Sequence, residues 1–277
     1  MWRRTGRVRE ISKTVDRNIG ECEDENMEKY TPQLGYFDVI NACAQPGCPI
    51  CQLGQKVIND YLDMVLYESV ADPKTRDQLR ASLGYCNTHA WWLSNVGKGN
   101  TLGIAIIYQD LLEVLNTILP QMPNRKPLSI FQRVFRLFQR KKPLKPHEYR
   151  VQHVQQSCPA CVLRHETETN VLKIMMAALA KKDEQMQAAL KKSHGICLPH
   201  VTQAMEVTQD KAAIQLLVTI TTATIGEIRE ELAELIRKHD YRFQHEPMGS
   251  EKESWKRAIN LLVGIDAQIK TGEKRKK

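Results

Sequence analysis

The 277-residue chain has no run approaching the roughly 18 to 20 uninterrupted apolar residues that span a bilayer. Its opening stretch, MWRRTGRVRE, carries charge with no apolar run behind it, so neither a signal peptide nor a membrane anchor is expected. These two absences predict a soluble, cytoplasmic protein. Strand-like alternation and Asn-Gly hairpins are also missing, which argues against a β-sheet. The chain lacks a phosphate-binding glycine loop, a Gly-x-Ser-x-Gly elbow and a His-Glu-x-x-His run, so no motif supports an enzyme. What is present is an apolar content of 42%, sufficient for a real core.

Charge is unevenly spread. Residues 120–150 hold nine Lys and Arg against one Glu, which equals the whole net charge of +8. The basicity therefore belongs to one segment and not to a nucleic-acid-binding face, and nucleic acid is not an expected partner. Residues 1–33 shift from basic to acidic with few large apolar groups, the composition of a flexible tail.

Beyond that tail the sequence is helical. Leu53, Val57, Tyr61 and Val65 follow a four-residue step with Ile58, Leu62 and Leu66 beside them, predicting one helix from about residue 48 to 71. Asp72 and Pro73 then read as a cap and first turn, with Gly84 as the stop. After the basic segment the same order recurs, with a cap at Asp183, a stop at Gly195 and a long helix from about Asp210 to Lys238. The expected fold is all-α, an internally duplicated helical bundle. Its parts are a tail (1–33), a first repeat (34–120), a basic amphipathic linker (121–152), a second repeat (153–239) and a C-terminal helix with a basic tail (240–277).

The repeat is sharpest in its cysteines. Cys48, Cys51, Cys86 and His89 recur as Cys158, Cys161, Cys197 and His200, at offsets of 110, 110, 111 and 111 residues. Each copy reads Cys-Pro-x-Cys and, later, Gly-x-Cys-x-x-His. Two thiolates two residues apart reach one ion from a tight turn, and Cys and His at i and i+3 share the face of a helix's first turn. The field of a helix N-terminus favours such thiolates. In a reducing compartment stable disulfides are not expected, so metal binding or redox chemistry explains the pattern better.

Three chemistries accept this donor set. Two closed Cys3His zinc sites account for both motifs. An iron–sulfur cluster is the alternative, although clusters more often use four cysteines. A dithiol redox couple leaves the matched Cys-x-x-His unexplained, and the plain alternative is a set of buried core thiols without a metal. Four protein ligands leave no open position for a catalytic water. The simplest grouping keeps each set within its own copy, clamping one helix start to another; the crossed grouping, Cys48 and Cys51 with Cys197 and His200, stays open. Cys22 and Cys43 lack duplicated partners and read as free thiols. His165 and His194 have no equivalent in the first copy, where Gln55 and Leu83 stand, and read as ordinary residues outside the sets.

Residues 128–142 place Ile130, Phe131, Val134, Phe135, Leu137 and Phe138 on one face of a helix, with Arg133, Arg136 and Arg140 opposite. That face packs on the protein's own core, or it docks on a protein partner or an anionic membrane surface. At the C-terminus, Trp255, Ile259, Leu262 and Val263 read as the apolar face of a short helix. Asp240, Arg242, Glu246 and Arg257 read as a buried ion-pair knot locking it to the core, or else as the lining of a polar pocket.

The two Cys-Pro-x-Cys and Gly-x-Cys-x-x-His units, with the ending KHDYRFQHEPMGSEKESWKRAINLLVG, resemble an uncharacterised family of bacterial and archaeal proteins defined only as a domain of unknown function. The likeness covers roughly residues 45 to 265 apart from the basic segment and implies a helical fold, with no activity attached.

Overall fold

The computed structural model describes residues 34–96, 100–121, 157–243 and 245–265. The tail 1–33 with Cys22, the amphipathic segment 128–142 and the basic end of the chain lie outside the described residues. Among the described residues there is no strand, and the helices belong to one compact unit.

The first half contains α1 (Tyr36–Cys43), α2 (Pro49–Tyr67), α3 (Pro73–Ala81), α4 (Asn87–Val96) and α5 (Thr101–Ile118). The second contains α6 (Pro159–Ala180), α7 (Glu184–Lys192), α8 (Leu198–Val207), α9 (Lys211–Lys238) and α10 (Ser254–Val263). Long, short, short, long is thus the order in α2–α5 and again in α6–α9. The expected caps form: Asp72 accepts from the Thr75 backbone N–H, Asp183 from that of Met186 and Asp210 from that of Ala213. α2 stops at Tyr67, four residues before the expected end, because the turn closed by the Asp72 N–H on the Ser69 carbonyl is needed to present Asp72 as a cap. α1 was not foreseen; it is an eight-residue helix opened by Gly35, whose N–H donates to Asp38, and held to the second half by a 2.6 Å hydrogen bond from Tyr36 Oη to Asp183.

α2 packs most extensively on α6, and the foreseen face of α2, from Leu53 to Leu66, is buried. Ile50, Leu172, Met175, Met176, Leu179, Met186, Leu190 and Leu217 complete a core drawn from both halves. Each such side chain contributes about 1.5–3 kcal/mol by leaving water.

α5 is long and apolar enough by length and composition to cross a membrane, yet its buried Asp110 ties it to α3. Arg80 donates to Asp110 at 2.8 and 2.6 Å, and Arg76 Nη2 lies 2.8 Å from the same carboxylate. Burial alone would raise the Asp110 pKa; hydrogen bonds from Arg80 and Arg76 outweigh it and hold the carboxyl below its ordinary value. We expect Asp110→Asn to cost about 2–3 kcal/mol at neutral pH, a drop of roughly 5–10 °C in melting temperature. Because the native pKa is lowered, this contribution is complete above the ordinary carboxylate pKa and is lost as pH falls through the lowered value. The gap between wild type and variant should therefore close in acid.

The C-terminal region departs from expectation twice. Asp240, Arg242, Glu246 and Arg257 do not form one buried knot. They enter three separate pairs: Arg242 with Asp240 at 2.6 Å on the surface, Glu246 with Arg237, and Arg257 with Glu231. The last two fasten the connection and α10 to α9. Trp255, Ile259, Leu262 and Val263 do not pack on the core: they are 48%, 50%, 61% and 70% exposed. The side of α10 turned inward carries buried Ser254 and half-buried Ala258 and Leu261, small enough in the main for a close approach to α8 and α9.

Candidate metal centres

Every candidate ligand sits at the start of a helix. Cys48, Cys86, Cys158 and Cys197 each accept the first helical hydrogen bond through their carbonyls, from Gln52, Ala90, Val162 and Val201. Each therefore stands at an N-cap, and Cys51, His89, Cys161 and His200 stand three residues on. A serine or aspartate at an N-cap would use its side chain to satisfy the first N–H groups. At Cys48, Cys158 and Cys197 no such side-chain bond forms, which leaves the sulfur free to point elsewhere.

These four helix starts meet in pairs, and the pairs cross between the halves. Cys48 and Cys51 at the start of α2 join Cys197 and His200 at the start of α8; Cys158 and Cys161 at the start of α6 join Cys86 and His89 at the start of α4. The expectation that each set stays within its own copy is therefore wrong. α2 and α6 lie against each other in the core, so each Cys-Pro-x-Cys turn is delivered to the other half's Cys-x-x-His turn. No disulfide joins any described cysteine.

The distances suit a single ion. In the first set, His200 Nδ1 lies 3.5, 3.4 and 3.1 Å from the sulfurs of Cys48, Cys51 and Cys197, and Cys51 Sγ lies 3.7 Å from Cys197 Sγ. In the second, His89 Nδ1 lies 3.2, 3.6 and 3.4 Å from Cys86, Cys158 and Cys161, and Cys161 Sγ lies 3.6 Å from Cys86 Sγ. A tetrahedron with ordinary zinc–sulfur and zinc–nitrogen bonds has edges of about 3.8 Å between sulfurs and about 3.6 Å from sulfur to nitrogen. His165 and His194 are exposed and join neither set.

Electrostatics point the same way. Burial opposes charge on His200, but the sulfurs of Cys197, Cys48 and Cys51 and the Glu168 carboxylate, accepting hydrogen bonds from the ring, overcome it and push the pKa far above the ordinary imidazole value. Burial likewise opposes charge on His89, while Cys158 and Cys86 carry it up to about 9. Each pocket of sulfurs favours a positive charge at its centre. Cys43, the neighbouring thiol, belongs to neither set; burial pushes it up to about 12, and it behaves as a small apolar side chain.

The two sets differ around their edges. In the first all four ligands are buried. The end of α10 roofs it: Gly264, at φ 86°, leaves room for only 3.1 Å between a side-chain carbon and Cys51 Sγ, so any larger residue there would meet the sulfur. Leu261 closes over Gly195, whose φ of 93° makes the turn into Cys197. His200 Nε2 lies 3.4 Å from Glu168, which accepts from Arg164 Nε at 2.7 Å. Burial works against the Glu168 carboxylate, yet His200 and Arg164 keep its pKa below the ordinary value. Gly54 on α2 has no side chain because a carbon there would lie 3.0 Å from Glu168 Oε1. Arg164 gains further from the charges of Cys51 in one set and Cys161 in the other, against the cost of its burial.

Sequence reasoning missed Glu168 and Arg164. The signal was a charged pair four residues apart on α6, where the first half has Gly54 and Ile58. A carboxylate on the far nitrogen of a ligating imidazole fixes the ring and its tautomer. We expect Glu168→Gln to weaken metal binding at the first set by about tenfold to hundredfold and to leave the second unchanged, measured by competition with a chelator of known affinity.

In the second set His89 and Cys158 are buried, Cys86 is half-buried and Cys161 is exposed. His89 stacks on Trp92 with ring centroids 5.8 Å apart, but its Nε2 is buried with no hydrogen-bond partner. Ile58 occupies the position that corresponds to Glu168 and offers none.

The model of a family of unknown function, DUF6062, matches residues 33–269 of this sequence. The chain belongs to that family. This DUF6062 protein is also 27% identical over 223 residues to an uncharacterized 23.9 kDa protein in the xynA 3' region of Caldicellulosiruptor sp. (strain Rt8B.4), covering 78% of the present chain and 95% of the relative. No solved structure matches.

Proposed function

We propose that this DUF6062 protein is a cytoplasmic metal-binding interaction module in which each Cys3His set holds one zinc ion as a structural staple. The observation that carries the reading is the convergence of four helix starts into two tetrahedral donor sets, each drawn from both halves. All ligand atoms of a set lie within 4.8 Å of one another. An iron–sulfur cluster distributes its protein ligands over different iron atoms and so spreads them further apart, which favours a single ion. With four protein donors the coordination is closed, the pattern of structural zinc.

The outward apolar face of α10 supports binding of a protein partner, since such contiguous patches mark interaction sites. Elemental analysis of anaerobically purified protein should find two equivalents of zinc in a colourless sample. Absorbance near 400 nm with iron in place of zinc would select the cluster instead. Trp255→Glu should keep the zinc and the melting temperature and lose a stoichiometric partner that wild type retains; equal retention would count against α10 as the contact.

A further inference from the structure

The two sets are unequal in access and in support. One is sealed by α10 and braced by Glu168; the other leaves Cys161 exposed, Cys86 half-buried and His89 Nε2 unpartnered. A ligating imidazole without its outer carboxylate is a poorer donor, and a metal-held thiolate in contact with solvent is open to small electrophiles. We propose that the Cys86, His89, Cys158 and Cys161 set is an oxidant-reactive metal–thiolate site, releasing its ion when a hydroperoxide converts Cys161 and Cys86 to a disulfide, while the Cys48 set keeps its ion. The proposal rests on the reading that each set holds one ion.

The chemistry balances within the set. The Cys161 thiolate attacks one oxygen of the peroxide, the O–O bond breaks, and a sulfenic acid and a hydroxide form. The Cys86 thiolate, 3.6 Å away, then attacks that sulfur, forms the S–S bond and expels a second hydroxide. Each hydroxide takes a proton and leaves as water, so two thiolates supply the two electrons that reduce one peroxide. Cys158 and His89 remain, and two donors do not hold a closed tetrahedral ion. The core and the sealed set are untouched, so release need not unfold the chain.

The test uses the zinc-loaded full-length chain, hydrogen peroxide and a chromogenic zinc chelator, with alkylation and mass mapping of the cysteines. One equivalent should appear at least tenfold faster than the other. It should be accompanied by a disulfide joining Cys161 to Cys86, with helical content retained; a Cys161–Cys158 disulfide would overturn that pairing. Release of both equivalents together, release of neither, or earlier oxidation of Cys48, Cys51 or Cys197 would overturn the proposal. A chain that purifies without two ions would instead refute the metal reading on which it rests, and elemental analysis before oxidation separates the two failures.

Discussion

Cys48→Ser should abolish stable folding: the variant is expected to aggregate or to lose its cooperative melting transition, and to retain at most one equivalent of metal. Cys48 is 1% exposed and stands where α2 meets α8, so its sulfur joins the first half to the second. A structural zinc ion contributes on the order of 10 kcal/mol in small domains. Net stability of a domain is only about 5–15 kcal/mol, so losing the sealed site removes most or all of it. Serine is nearly the size of cysteine and leaves little cavity, so the effect reports the ligand and not the packing. Cys161→Ser, at the exposed corner of the other set, should cost distinctly less. Melting followed by circular dichroism, with zinc content measured on the same samples, checks both; a Cys48→Ser protein with wild-type melting and two ions would refute the account.

The crossed ligands also determine how the halves behave apart. Residues 1–140 alone hold only Cys48, Cys51, Cys86 and His89, which complete neither set; residues 141–277 alone hold the remaining four, again one pair from each. Each half also exposes its side of the α2–α6 contact and a shared core. Expressed singly, both fragments are expected to be unfolded and to bind zinc at least a hundredfold more weakly than the intact chain. Expressed together, they should co-purify as a folded complex with two ions, and a strong chelator should part them. A fragment that folds alone and keeps one tightly held ion would mean that a set can be completed inside one half.

Much of this was legible in the sequence because it was local. Asp72, Asp183 and Asp210 declare helix starts within three residues of themselves, and each Cys-x-x-Cys or Cys-x-x-His pair occupies a single turn. The pairing of turns was not legible. Cys51 reaches Cys197 across 146 residues, and either grouping uses the same local motifs. Only the packing of α2 against α6 decides between them. The orientation of α10 was hidden for another reason: periodicity shows that Trp255, Ile259 and Leu262 share a face, but not which way it turns. Its other face presents Ser254, Ala258 and then Gly264, whose small size allows the approach to Cys51, and that leaves the large apolar residues outside. Glu168 escaped notice because an acid four residues after an arginine on a helix ordinarily reads as a solvated surface pair.

The central claim, that each ion is held between the halves, is tested most directly by alkylation of the wild-type chain carrying one equivalent of zinc. Mass mapping of cysteines in that sample should find Cys48, Cys51 and Cys197 protected together while Cys86, Cys158 and Cys161 are labelled. Joint protection of Cys48, Cys51 and Cys86, with Cys158, Cys161 and Cys197 labelled, would contradict it.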